Sequence, residues 1–173
     1  MRKIKLFIAC SLDGYIAGKN EEIDWLFTDQ DYNYTPFYEN VDTTLMGHKS
    51  YKLILGLSED FYYKDKTNYV FTRKSSREKT PYVTFIHDDI PGFVRQLKEE
   101  EGKDIFLVGG GEIIALLHNE GLIDEYIIAF HPLILGEGIP LFKGSLKQQK
   151  LKVYRTESYS SGLVHIFYHR AND

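Results

Sequence analysis

Three stretches of the sequence bring an apolar run to an end on residues suited to holding an anion. The first is "IFLVGGGEII" (105–114), where Gly109, Gly110 and Gly111 precede Glu112 and Ile113. A helix that starts there points its unpaired first-turn N–H groups outward, and the helix dipole adds to their pull on an anion. Glycine lets the backbone approach such a ligand with no Cβ in between. The spacing is not that of a dinucleotide fingerprint, because the six residues from Gly109 read GGGEII with no glycine at the sixth. A plain strand-to-helix turn accounts for the same letters. The second stretch, "TTLMGHKSYKLI" (43–54), repeats the layout, with Gly47 followed by His48, Lys49 and Ser50. A cation and a hydroxyl in a first helical turn can reach the same anion or simply face solvent. The third, "FTRKSSREK" (71–79), gathers Arg73, Lys74, Arg77 and Lys79 just after Thr72 in a chain of net charge −4. Charge runs are usually solvated turns, but a guanidinium fork at a strand end suits a phosphomonoester.

Proton chemistry would need carboxylates or histidines. Asp24, Asp29 and Asp31 lie close to the only tryptophan, Trp25. A carboxylate beside an indole can orient a heterocycle or pass a proton. Helix capping and surface charge explain the same residues. The six histidines show no metal-ligand spacing; His165 and His169 can share one face of a strand but have no cysteine or acid beside them in sequence. No metal is expected. Ser11 and Asp13 lie outside any Gly-x-Ser-x-Gly elbow, which removes a hydrolase reading.

The elements that must position these residues follow from the periodicity. "KIKLFIACS" (3–11) reads as a buried strand, then a loop runs from 12 to 25. A helix is expected over 30–40, a strand over 43–47 and a helix over 48–55. Strands are expected over 68–72 and 82–87, a helix over 90–101, a strand over 104–108 and a helix over 112–121 ending at Gly121. The tail, "EYIIAFHPLIL", "LKVYRTESYS" and "LVHIFYHR", supplies further strands. Alternating strands and helices imply a mainly parallel sheet, with the strand-rich tail added as antiparallel edges, in an α/β sandwich. Ligands in such sheets sit beyond the carboxyl ends of the strands, which is where the three anion-suited stretches fall. The 173 residues and 43% hydrophobic content suit one domain over 1–173. The acidic balance argues against nucleic acid. No apolar run is long enough to span a membrane, and the first residues carry no secretory pattern. Cys10 reads as a small core residue, and a single cysteine fits a reducing cytoplasm.

Taken in order, "SLDGYIAG", "IDWL", "TTLMGHKSY", "NYVFTRK", "IFLVGGGEIIALLHNEGLIDEY" and "HPLILGEGIPLF" resemble the dihydrofolate reductase-like superfamily. The resemblance covers about residues 3–168 and is closest to small bacterial proteins related to the reductase domain of riboflavin biosynthesis enzymes. It implies a three-layer α/β/α sandwich around a mixed, mostly parallel eight-stranded sheet, with NADPH as hydride donor. It assigns Gly47, His48, Lys49 and Ser50, with Gly109, Gly110, Gly111, Glu112 and Ile113, to the cofactor pyrophosphate region. Thr72 and Arg73 match the adenosine 2′-phosphate site, and Ala9, Ile16, Ala17 and Gly18 the surroundings of the nicotinamide. It also implies a cis peptide at Gly109-Gly110 and a homodimer through "HPLILGEGIPLF". Trp25 with Asp29 or Asp31 would line the substrate side. Two positions depart from the pattern: His48 replaces an arginine, and the pterin-binding acid falls on Gln30, which argues against folate. The expectation is an NADPH-dependent reductase of a small heterocyclic or ribosylaminopyrimidine-like substrate. The alternative is a non-catalytic NADP-binding or regulatory protein on the same fold.

Overall fold

The structure is a computed structural model that describes residues 1–73 and 80–171; Lys74, Arg77 and Lys79 lie outside the described residues. Its main sheet has eight strands in the order β5-β4-β3-β6-β1-β7-β10-β9. These are β1 (Ile4–Ser11), β3 (Val41–Gly47), β4 (Thr67–Phe71), β5 (Val83–Ile86), β6 (Asp104–Gly109), β7 (Glu125–His131), β9 (Leu151–Ser158) and β10 (Val164–Arg170). All neighbouring pairs from β5 to β7 are parallel. β10 runs antiparallel to both β7 and β9. The tail therefore differs from the expectation of antiparallel edges throughout, because β7 lies inside the sheet and parallel to β1. Two short strands that the sequence reading left in loops, β2 (Tyr15–Ala17) and β8 (Ile139–Pro140), form a separate antiparallel ribbon.

Each face of the sheet is covered by two helices. On one face, Leu6, Leu45, Ile105, Leu107 and Ile128 pack with α3 (Ile90–Glu99) through Val94 and Leu97, and with α4 (Gly111–Asn119) through Ile114 and Leu117. Cys10 is buried in this aliphatic core, where burial pushes its thiol up to about 11. On the other face, Met46, Val70 and Phe106 meet α2 (His48–Leu55) through Tyr51 and Ile54. The same cluster receives Tyr34 and Phe37 of α1 (Tyr34–Glu39). α1 starts later than the expected residue 30 because Tyr32 and Asn33 have φ of 50° and 58°, which no right-handed helix accommodates. α4 ends as expected before Gly121, whose φ of 64° lets Leu122 N–H return to Leu117 O at 2.9 Å.

α3 is tied to the start of the sheet by a buried ion pair. Lys98, 6% exposed, donates to Asp124 Oδ2 at 2.6 Å, and the same oxygen accepts Ile4 N–H at 2.8 Å. Removing only the carboxylate strands a buried ammonium, so Asp124→Ala is expected to lower stability by about 3 kcal/mol. Urea denaturation should show a reduced midpoint at unchanged slope.

Candidate active site

β3 and β6 are neighbours, with Met46 opposite Gly109, so the helices that follow them begin side by side. Gly47 and Gly110 are the N-cap residues of α2 and α4, both extended and both without a side-chain cap. A Cβ on Gly47 would lie 3.2 Å from Ile113 Cγ1 and 3.9 Å from Gly109 O and Gly110 N. A Cβ on Gly110 would lie 3.2 Å from Ser50 Oγ. The two turns thus face each other with backbone, the Ser50 hydroxyl and the Ile113 side chain between them. Gly109 has φ 127°, a conformation open to glycine, and the Gly109-Gly110 peptide is cis. Gly111 serves another purpose: its Cβ would sit 2.8 Å from Pro140 O, because residues 140–143 are laid across the start of α4.

Cations surround this turn. Glu112 accepts Arg73 at 2.7 Å on one carboxylate oxygen and Lys143 Nζ at 2.9 Å on the other. The Lys143 bond, opposed by burial and aided by Arg73 and Lys49, holds the Glu112 carboxyl below its ordinary range. Lys143 escaped the sequence reading because only the chain path brings it to a residue 31 positions earlier. Lys49 is exposed, and His48 turns toward β5, its ring centroid 6.2 Å from that of Phe85.

The β2–β8 ribbon links the glycine turn to residues 11–18. Ala17 pairs with Ile139, Leu141 N–H reaches Gly14 O at 2.9 Å, and Lys143 N–H reaches Gly111 O at 3.4 Å. Ile16 packs on the aliphatic core and Gly18 turns back to accept Glu21 N–H. Asp13 accepts Ser11 Oγ and the N–H groups of Leu135 and Gly136. Burial opposes its ionisation, but these hydrogen bonds outweigh burial and hold the carboxyl low. Asp13 is therefore a strut between two loops.

Comparisons with known proteins identify the family and the fold. The RibD C-terminal domain model matches residues 2–165. The chain belongs to the RibD C-terminal domain family. Two uncharacterised Bacillus subtilis (strain 168) proteins are similar to it. YyaP is 40% identical over 97% of this chain and 95% of its own, and YwjB 39% identical over 98% and 99%. A solved putative riboflavin biosynthesis protein from Shewanella sp. PV-4 superposes with TM-score 0.86 at 29% identity, covering 98% of this chain and 99% of that one. The deaminase/reductase of Thermotoga maritima shares the fold at TM-score 0.77 and 18% identity, this chain matching 57% of its length. The chain has the dihydrofolate reductase-like fold, matching an Enterococcus faecalis dihydrofolate reductase at TM-score 0.73 and 14% identity over 98% of this chain and 97% of that one.

Within this RibD C-terminal fold two of the acids near Trp25, Asp29 and Asp31, are already engaged. Asp31 accepts both N–H and hydroxyl of Thr35 at the start of α1, and Asp29 accepts Tyr32 OH at 2.7 Å; both residues are exposed. Trp25 donates to Glu22 O and stands edge-on to His131 at 5.2 Å. His131, a residue sequence reading passed over, ends β7 and fastens the loop. Its Nε2 must accept Phe27 N–H at 3.2 Å, so Nδ1 carries the proton and donates to Ala129 O at 3.1 Å. Burial pushes this imidazole below its ordinary value, the Ala129 bond opposing, and burial does the same to His165.

Both histidines therefore resist protonation in the folded chain. As pH falls below about 6.5, the unfolded chain takes up protons that the folded chain refuses, so stability drops. The depressed Asp13 and Glu157 carboxyls add their loss only below about pH 4.5. Urea midpoints are expected to decline between pH 6.5 and 5. His131→Gln, which keeps an acceptor for Phe27 N–H, should reduce that decline. A second stability measurement addresses the turn: Gly111→Ala, driven against Pro140 O, should cost about 2 kcal/mol.

Proposed function

We propose that the chain is an NADPH-dependent reductase of a small heterocyclic, ribosylaminopyrimidine-like substrate, acting as one unit over 1–173. The observation that carries this reading is the meeting of two glycine-capped helix starts inside a group of three cations, Lys49, Arg73 and Lys143. Backbone donors with no Cβ between them fit a pyrophosphate, and the guanidinium of Arg73 beside Thr72 fits a 2′-phosphate. Gly47, Ser50, Gly109, Gly110 and Ile113 would hold the pyrophosphate, with His48 in place of a permanent cation. Glu112 would keep Arg73 and Lys143 oriented. Ala9 on β1, with Ile16 and Ala17 of β2 and the adjoining Gly18, would border the nicotinamide. NADPH supplies a hydride for transfer to carbon. The chain contributes binding, orientation and exclusion of water.

Two structural neighbours lend support. The Thermotoga maritima protein is described as a 5-amino-6-(5-phosphoribosylamino)uracil reductase, and an Enterococcus faecalis dihydrofolate reductase of the same fold was solved with NADP(H). Gln30 at the usual pterin-acid position argues against folate here. A homodimer through residues 131–142 accords with the exposed apolar side chains of Leu12 and Ile134, whose segments are joined by Leu12 N–H to Leu133 O at 2.8 Å. A cytoplasmic location accords with one buried, unpaired cysteine; among the described residues no helix is long and apolar enough to cross a membrane. The alternative, a non-catalytic NADP-binding protein, draws on the engagement of Asp29 and Asp31 in local hydrogen bonds.

Calorimetric titration with NADPH and NADH tests the reading. Micromolar NADPH binding and weaker NADH binding are expected, and Arg73→Ala should weaken NADPH by about tenfold while leaving NADH unchanged. Binding of neither dinucleotide would overturn it. Loss of NADPH absorbance in the presence of an aminopyrimidine separates the reductase from the binding protein.

A further inference from the structure

One polar atom in the substrate half of the molecule has no use in the fold. His165 is 1% exposed, and its Nδ1 has no hydrogen-bond partner among the described residues. Glu157 Oε2 approaches it to 3.6 Å, an ion-pair distance just longer than a hydrogen bond. That carboxylate is itself fixed from three sides: Asn33 donates at 3.0 Å, Tyr159 OH at 2.9 Å, and Arg155 pairs with the other oxygen. A buried imidazole left unpaired beside a well-organised carboxylate calls for an explanation outside the apo fold.

The sheet register supplies one. Ala9, Ala129, His165 and Glu157 form a single row across β1, β7, β10 and β9. Residues in such a row share one face, so two methyl groups make a flat floor that ends at the imidazole. Rings stand around it: Phe7 and Tyr159 each lie 5.2 Å from His165 by ring centroid, and Phe27 and Tyr32 close over Ala129. Phe27 and Tyr32 belong to residues 18–33, which hold no helix or strand and are fastened to the sheet by Phe27 N–H on His131 and by Asn33 on Glu157. The alanines are thus covered by aromatic rings of a loop, with one unpaired polar group at the end of their row.

We propose that the Ala9–Ala129 floor seats a planar nitrogen heterocycle, with His165 as its buried hydrogen-bonding contact and Glu157 as the residue that positions the imidazole. The proposal deepens the reductase reading, on which it rests for the substrate class, and it moves the polar contact from Asp29 and Asp31 to the sheet. The aromatic side chains of Phe27 and Tyr32 then lie against the ligand ring rather than the alanines.

The test uses 5,6-diaminouracil as the probe and the full chain with and without NADPH. In wild type, the probe is expected to shift the imidazole nitrogen resonances of His165. His165→Phe, which keeps the packing, should weaken the probe by about tenfold or more, because a polar edge of the ligand then goes unpaired. His165→Gln should recover part of that loss, and Glu157→Gln should move the His165 resonances in the free protein. NADPH affinity should not change in any of the three. The proposal is overturned by equal probe affinity in wild type and His165→Phe, by saturation that leaves the His165 resonances in place, or by no probe binding to the wild-type NADPH complex. Failure of NADPH to bind wild type would instead remove the reductase reading, and the His165 response to the probe would still decide the seat. If His165→Phe does not fold, the wild-type resonance shift gives the answer alone.

Discussion

The parallel pairing of β3 with β6 is the constraint from which the site follows. It sets Met46 opposite Gly109 and so forces two helices to start within a few ångströms of each other. Two helix N-termini at that distance repel through their dipoles and crowd through their side chains. Glycine at both N-caps removes the crowding. Glu112 in the first turn of α4 supplies negative charge, and Arg73 and Lys143 bracket that charge in turn. A turn built this way suits an anion, since no side chain caps the first-turn N–H groups of either helix.

The two faces of the sheet divide the remaining work. The aliphatic face packs α3 and α4 in ordinary close contact and contributes stability. The opposite face is rich in rings, Phe7, Phe37 and Phe106 meeting edge-on at centroid distances of 4.9 Å. Aromatic edges fix α1 relative to β1 with few polar groups, which leaves the polar side chains on this face for other tasks. Toward β7 and β10 the large side chains give way to Ala9 and Ala129, and there the covering element changes from helix to loop. A loop fastened by single hydrogen bonds can be displaced at a cost far below that of moving a packed helix.

Most of this was legible where local pattern and tertiary role coincide. The runs at 4–11, 41–47 and 104–109 announce strands because apolar residues there are buried on both faces, and the glycines after them mark turns. The basic residue Arg73 and the glycine pairs stood out for the same reason: their types are unusual for their positions. What escaped depends on distance along the chain. Lys143 meets Glu112, and Glu157 meets Asn33 across 124 positions, through topology alone. β2 and β8 are too short to carry a period. Tyr32 and Asn33, at positive φ, break a pattern that reads as helical from residue 30.

The carboxylates near Trp25 show how an acidic cluster can also serve the local fold. Asp31 is held by Thr35 and Asp29 by Tyr32, each exposed, so water screens whatever field they project. A charge at the surface discriminates weakly between ligands, whereas an unpaired imidazole in the interior discriminates strongly, because leaving it unpaired is costly. The sequence advertises the first kind of residue, since acids cluster visibly in a loop. The second kind is a lone histidine in the middle of a strand, and its value comes from the two alanines that share its row. On the proposed seat, selectivity for a ring would be set less by the residues that carry the most charge than by those whose neighbours are small enough to let a ring lie beside them.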